Sequence, residues 1–189
     1  MFLNYGCYFG TDEEKLRSVV DFIISQQLAD GGFNCRLNRS GARHSSMHST
    51  ISVLEGIREY IAAGYAFRAE ELNRIEGEAQ EFLLRHRLFK SDHTGAVIHP
   101  SFLKLVYPPR WRYDILRALD YFQSVGYPYD ERLQDALDIL KEKRLSDGRW
   151  KTQAHHPGEV HFQMEQAGKP SRWSTLRCLR VLEYYDRDA

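Results

Sequence analysis

The stretch Gln26-Gln27-Leu28-Ala29-Asp30-Gly31-Gly32-Phe33 decides the fold, because it returns in altered form as Arg144-Leu145-Ser146-Asp147-Gly148-Arg149-Trp150. In each copy an apolar-periodic segment runs into an Asp-Gly turn and an aromatic residue follows. A polar connection then leads to a second periodic segment that ends in Tyr. A recurrence of this kind must be recognised before local structure is assigned, since a repeated unit buries its apolar face only against its neighbours.

Two sets of segments align around the turn. The first reads Asp21 to Leu28, Glu81 to Leu88 and Asp138 to Leu145, each with an acid seven residues before a Leu. The second reads His48 to Tyr60, Arg110 to Phe122 and Trp173 to Tyr185, with offsets of 62 and 63. Apolar residues recur at helical spacing in both, which predicts an all-α chain of three helical hairpins at about 12–64, 70–126 and 130–187, in a single domain spanning 1–189. Thr11-Asp12-Glu13-Glu14 reads as a capping box, Ser45 and Ser46 as caps of the next helix, and Ser171 as the cap of the last. Gly64-Tyr65 and Gly126-Tyr127 read as helix stops. Tyr8 to Glu13 aligns with Gly126 to Glu131, so the chain opens in the middle of a repeat, and further repeats or self-association are expected to complete the array. The connections at about 30–43, 90–109 and 146–172 are long, and long loops are where function concentrates. Within the last, Glu165 to Ser171 reads as a mobile lead-in.

Composition sets broad limits. Lys plus Arg balance Asp plus Glu at 26 each, which disfavours polyanionic partners such as nucleic acid. Three scattered cysteines, Cys7, Cys35 and Cys178, show no clustered ligand spacing and suit a reducing cytoplasm. No run approaches the ~18 apolar residues of a membrane span, and no cofactor is expected. Aromatic residues make up 13% of the chain, enough for a large core or an aromatic-lined cavity.

With these residues set out, the chain resembles the α/α toroids of the terpene cyclases and protein prenyltransferases, especially the squalene-hopene-cyclase type, whose repeat reads Gln-x-x-Asp-Gly-Gly-Phe or Gln-x-x-x-Gly-x-Trp. Gln27 to Phe33 matches it; Asp147 to Trp150 keeps the second half, with Arg144 in the Gln position; Ser91 to Gly95 is degenerate. The resemblance implies an outer ring of first helices, an inner ring of second helices and a central cavity, of which this chain would form part. It assigns Gln27 the task of tying neighbouring outer helices together. It also places chemistry at the N-terminal ends of the inner helices. The cyclase motif Asp-x-Asp-Asp is missing from Ser46 to Ser49, Pro108 to Trp111 and Ser171 to Ser174, and the prenyltransferase Asp-x-Cys pair is missing throughout.

Those inner-helix starts nominate His48, Arg110, Trp111, Tyr113 and Trp173 for binding an isoprenoid or other apolar small molecule, and Asp114 as a catalytic acid. Aromatic faces attract carbocations, and paired arginines such as Arg110 and Arg112 suit a diphosphate; core packing, loop anchoring and salt bridging account for the same residues more simply. His155, His156 and His161, with Glu159, form a candidate metal cluster, and Cys35, His44 and His48 a second. Three functions stay open: an isoprenoid-related enzyme, a non-catalytic toroid that binds protein or lipid, and a carbohydrate-active toroid, for which Asp114 lacks a partner carboxylate.

Overall fold

The structure, a computed structural model, describes residues 1–36, 40–153 and 158–186. The chain is mostly helical and carries one small two-stranded ribbon. It divides into two compact units, Met1–Leu83 and Leu84–Ala189.

In the first unit α1 (Phe2–Tyr8), α2 (Glu13–Ser25) and α3 (Met47–Ala62) precede α4 (Ala69–Arg85), which runs to the boundary. Both α1 and α3 end in a glycine of positive φ, Gly10 at 68° and Gly64 at 78°. In each the following amide bonds back five residues, Thr11 N to Gly6 O at 2.9 Å and Tyr65 N to Tyr60 O at 3.3 Å. That geometry satisfies carbonyls left over at a helix end and needs a residue without a Cβ. Gly10, rather than Tyr8, therefore holds the position of Gly126, two residues from the sequence alignment. The core is Leu16 and Val20 of α2, Ile51, Leu54, Ile57 and Tyr60 of α3, and Leu72, Ile75 and Ala79 of α4, each large apolar side chain contributing roughly 1.5–3 kcal/mol of transfer free energy.

The capping box is absent. Asp12 is the N-cap of α2 and makes no side-chain cap bond. The Glu13 carboxylate instead accepts from Ala66 N at 2.5 Å, Phe67 N at 2.7 Å and the Tyr60 hydroxyl at 2.9 Å, so it braces the turn that leads into α4. Ser46 caps α3 by position only, and Ser45 is committed elsewhere, its hydroxyl donating to Asp30 at 2.5 Å.

The second unit contains a 3-10 turn (Pro100–Leu103), α5 (Ile115–Ser124), a 3-10 turn (Glu131–Leu133), α6 (Gln134–Glu142), β1 (Trp150–Lys151), β2 (Pro170–Ser171) and α7 (Arg172–Asp186). The strands pair antiparallel, Trp150 with Ser171 and Lys151 with Pro170. Helix α5 ends at Gly126 (φ 68°), and Tyr127 N bonds to Phe122 O at 3.0 Å, as at Gly64. It starts five residues later than the apolar pattern suggests, since Arg110 takes φ 54° and Asp114 supplies the cap.

The opening motif recurs in its bonds. Leu28 N donates to Gly32 O and Gly31 N to Leu28 O, just as Leu145 N donates to Arg149 O and Gly148 N to Leu145 O. Phe33 N donates to Thr50 Oγ1 at 3.0 Å, and Trp150 N to Thr175 Oγ1 at 3.0 Å. Gln27 Nε2 reaches Gly31 O at 3.0 Å and Arg144 Nε reaches Gly148 O at 3.3 Å. Arginine thus makes the bond for which the first copy uses glutamine.

Candidate functional site

Of the nominated residues, His48 lies in the first unit and the others in the second. His48 is the second residue of α3, half-buried, its carbonyl accepting from the Ser52 hydroxyl at 3.0 Å. His44 precedes the helix and is exposed, so the two imidazoles do not share a helix face.

In the second unit the residues before α5 belong to a turn and not to a helix. Arg112 N donates to Pro109 O at 3.0 Å and the Arg112 carbonyl accepts from the Arg117 guanidinium at 2.7 Å. The Arg112 guanidinium lies over the Trp111 ring, 4.7 Å from its centroid, leaving Trp111 half exposed at 50%. Arg110 approaches Gly158 on the third loop: a Cβ at that glycine would stand 3.5 Å from the Arg110 guanidinium.

Tyr113 and Asp114 point inward. The Tyr113 hydroxyl donates to Leu88 O at 2.5 Å, and its ring meets Phe102 edge-on at 5.0 Å. It is buried, and burial together with the neighbouring Asp114 charge pushes its phenol well above the usual range. Tyr113 therefore anchors a loop and does not line an open surface. Asp114 accepts from Arg117 N at 2.8 Å, capping α5. Burial raises its carboxyl from 3.8 to about 6, against the opposing pull of Arg177, the Arg117 amide and the Arg117 charge. Nearby, Asp120 of α5 accepts from Arg177 Nε at 3.1 Å and from Arg180 of α7.

Trp173 has a partner that sequence reading missed. Its ring stacks on Tyr107 at 5.2 Å and 11°, and 43% of it remains exposed. Tyr107 is held in turn by Thr152, whose hydroxyl accepts from Tyr107 N at 3.2 Å, while Leu105 N donates to the Gln153 side chain at 3.0 Å. The lead-in to α7, which the sequence presents as a Gly- and Pro-broken segment, carries a tether at Glu165. The Glu165 carboxylate accepts from Arg172 N at 2.7 Å, Trp173 N at 3.4 Å and the Ser171 hydroxyl. An acid at that end offsets the positive end of the helix dipole. Ser171 caps as expected, accepting from Ser174 N at 2.9 Å.

His155 and His156 lie outside the described residues, and His161 is exposed. Among the described residues no three His, Cys, Asp or Glu side chains converge as they would around a metal ion. No helix among them is long and apolar enough to cross a membrane.

The arrangement thus offers two exposed aromatic groups, Trp173 on Tyr107 and Trp111 under Arg112, and the third loop exposes Val160, Phe162 and Met164. Comparison with family models, curated proteins and solved structures returns no match. What the chain does must be read from its own side chains. A sequence signal for the missed residues existed in part: Tyr107 precedes Pro108-Pro109, and Glu165 precedes a Gly-Lys-Pro break, but neither pairing has a periodicity that reveals it.

Proposed function

We propose that this chain is part of an α/α toroid of the terpene cyclase and prenyltransferase type, serving as a non-catalytic module that binds an apolar, isoprenoid-like ligand. The observation that carries this reading is the Trp173–Tyr107 stack, a flat aromatic pair whose backbone amides are bonded to Glu165 and Thr152 and whose indole is still 43% exposed. Large aromatic side chains left exposed on a folded chain mark candidate interaction sites. Trp111, also exposed, carries the guanidinium of Arg112 over its ring, a cation suited to an anionic head group. Tyr113 and Asp114, the groups most suited to chemistry, are already occupied in bracing α5.

Tryptophan emission tests the reading. Trp111 and Trp173 are exposed whereas Trp150 is fully buried, so a ligand on this surface changes the solvent-sensitive part of the signal. Titration with farnesol and with farnesyl diphosphate is expected to give saturable changes. Trp173→Ala should weaken binding roughly tenfold, the equivalent of about 1.4 kcal/mol. Linear, unsaturable responses to both ligands would sink the proposal.

One observation favours an enzyme instead. A carboxyl raised to about 6 by burial, as in Asp114, is the state in which a general acid keeps its proton. Under that reading, incubation with isoprenoid alkenes yields new products by mass spectrometry and Asp114→Asn abolishes them; unchanged substrate would leave Asp114 as a cap alone.

A further inference from the structure

Lys plus Arg balance Asp plus Glu over the whole chain, but not on the ribbon of the second unit. Three segments are bonded side by side there. Gln153 N donates to Leu105 O at 2.9 Å and Tyr107 N to Thr152 Oγ1 at 3.2 Å. Beyond the β1–β2 pairs, Thr152 N donates to Lys169 O at 3.2 Å and Gly168 N to Thr152 O at 2.7 Å. Segments bonded in this way run roughly 5 Å apart, so residues on the three lie within roughly 20 Å of one another.

Four cations stand on these segments without counterions. Lys104, Lys151, Lys169 and Arg172 are exposed, and none forms an ion pair among the described residues. No Asp or Glu occurs in 104–112, 148–153 or 166–173. Elsewhere in the same unit cations are answered, Lys90 by Asp135 and both Arg177 and Arg180 by Asp120. A patch of one sign attracts an anionic partner even where the whole chain is neutral.

Apolar side chains are carried to the same place. The loop from Gly158 to Glu165 exposes Val160, Met164 and, at 71%, Phe162. At one end the Glu165 carboxylate is bonded to Ser171, Arg172 and Trp173, and at the other Gly158 lies against the Arg110 guanidinium. A residue advances the chain by at most about 3.6 Å, so Phe162, three residues from Glu165, stays within roughly 11 Å of it. Glu159 is the only acid on the loop besides Glu165. Cations and hydrocarbon together narrow the choice of partner. A single-stranded nucleic acid answers the cations and the indole of Trp173 but leaves Val160, Phe162 and Met164 in water. The boundary between anionic head groups and acyl chains answers both, since it takes apolar and aromatic side chains roughly 5–10 Å deep while Lys and Arg meet the phosphates.

We propose that the ribbon and the Gly158 to Glu165 loop dock peripherally on an anionic lipid surface. The apolar side chains of the loop enter below the head groups, and Lys104, Lys151, Lys169 and Arg172 meet the phosphates. This docking goes beyond the reading of Trp173 and Tyr107 as a ligand-binding pair and needs no isoprenoid. Vesicles free of isoprenoid test the docking, whereas farnesol without vesicles tests the ligand, so failure of one is distinguishable from failure of the other.

Co-sedimentation of the chain Met1 to Ala189 with sucrose-loaded vesicles reads the result, using phosphatidylcholine alone and with about 30% phosphatidylglycerol. The chain is expected to pellet with the anionic vesicles, to stay in solution with the neutral ones, and to be released progressively between about 50 and 500 mM salt. Lys151→Gln/Lys169→Gln should weaken binding roughly tenfold or more. Phe162→Ser should weaken it roughly tenfold at every salt concentration. Lys15→Gln/Arg74→Gln removes the same charge from the first unit and should bind as wild type. All five side chains are exposed, and matched circular dichroism shows that each variant is folded. A wild type that ignores the anionic vesicles overturns the proposal, as does equal binding to the neutral ones or unchanged binding by Phe162→Ser. It is overturned too if the first-unit variant loses as much as the ribbon variant, or if the chain captures a single-stranded oligothymidylate in place of vesicles.

Discussion

Gln27 Nε2 lies 2.8 Å from Glu78 Oε2 and 3.0 Å from Gly31 O, so one amide ties the Asp-Gly turn to α4. The same turn leaves no room at Gly31, where φ is 92° and a Cβ would stand 2.8 Å from the Glu78 carbonyl oxygen. Gln27→Ala should therefore cost about 1 kcal/mol in urea unfolding, the usual net worth of a hydrogen bond. Gly31→Ala should cost more, because it adds both left-handed strain and a backbone clash. Arg144→Gln is expected to be nearly neutral, since glutamine makes the corresponding bond in the first copy.

Thr50 and Thr175 perform one task twice, accepting from Phe33 N and Trp150 N. Thr→Val at either site keeps the shape and removes the acceptor, leaving a backbone donor unpaired in a largely apolar setting. A loss of about 1–3 kcal/mol is expected at each, with the two effects additive because they lie in separate units. Equilibrium denaturation of both single variants and the double variant checks this.

Tyr113→Phe separates the anchoring role from a binding role. Loss of the hydroxyl leaves Leu88 O without that donor, and stability should fall by about 1–3 kcal/mol. Ligand-induced tryptophan emission should be unchanged. An altered affinity at unchanged stability would restore Tyr113 to the binding surface.

Asp114 predicts a pH dependence with a definite sign. Its folded carboxyl titrates at about 6 against 3.8 ordinarily, raised chiefly by burial, so the folded state holds the proton more tightly. The resulting stabilisation is fully present below about pH 4 and disappears as pH rises through 6. Asp114→Asn keeps an oxygen for the Arg117 amide and does not titrate. From pH 4 to 6 the wild type should lose on the order of 3 kcal/mol relative to that variant, at about 1.4 kcal/mol per pH unit, and the difference should be flat above 7.

Glu13 behaves in the opposite way. Its two backbone bonds and the Tyr60 hydroxyl hold its carboxyl below the usual range, led by the Phe67 amide. The stabilisation it provides is present above about pH 4.5 and is lost as pH falls. Glu13→Gln should raise the pH at which acid unfolding begins less than Glu13→Ala does, as thermal melts across pH 3 to 6 would show.

The site was legible only in part. The turn at Gln27 to Phe33, its partner at Arg144 to Trp150 and the stops at Gly64 and Gly126 are local, and short-range geometry requires those residue types. The start of α5 was misplaced because Trp111 and Tyr113 continue an apolar period, while Asp114 wins the cap by bonding its side chain to the Arg117 amide. Glu165 was missed because its partners Arg172 and Trp173 are brought near by a loop that carries no period.

What the sequence by itself determined is the helical class and the turns at Gln27 to Phe33, Arg144 to Trp150, Gly64 and Gly126, since periodicity and glycine geometry act within a few residues of one another. Only the tertiary structure decided that Tyr113 and Asp114 face inward as braces and that Tyr107 lies under Trp173. Those outcomes depend on which side of a helix meets a neighbour far along the chain, and it is burial against that neighbour that turns an aromatic or a carboxylate into an anchor or leaves it exposed.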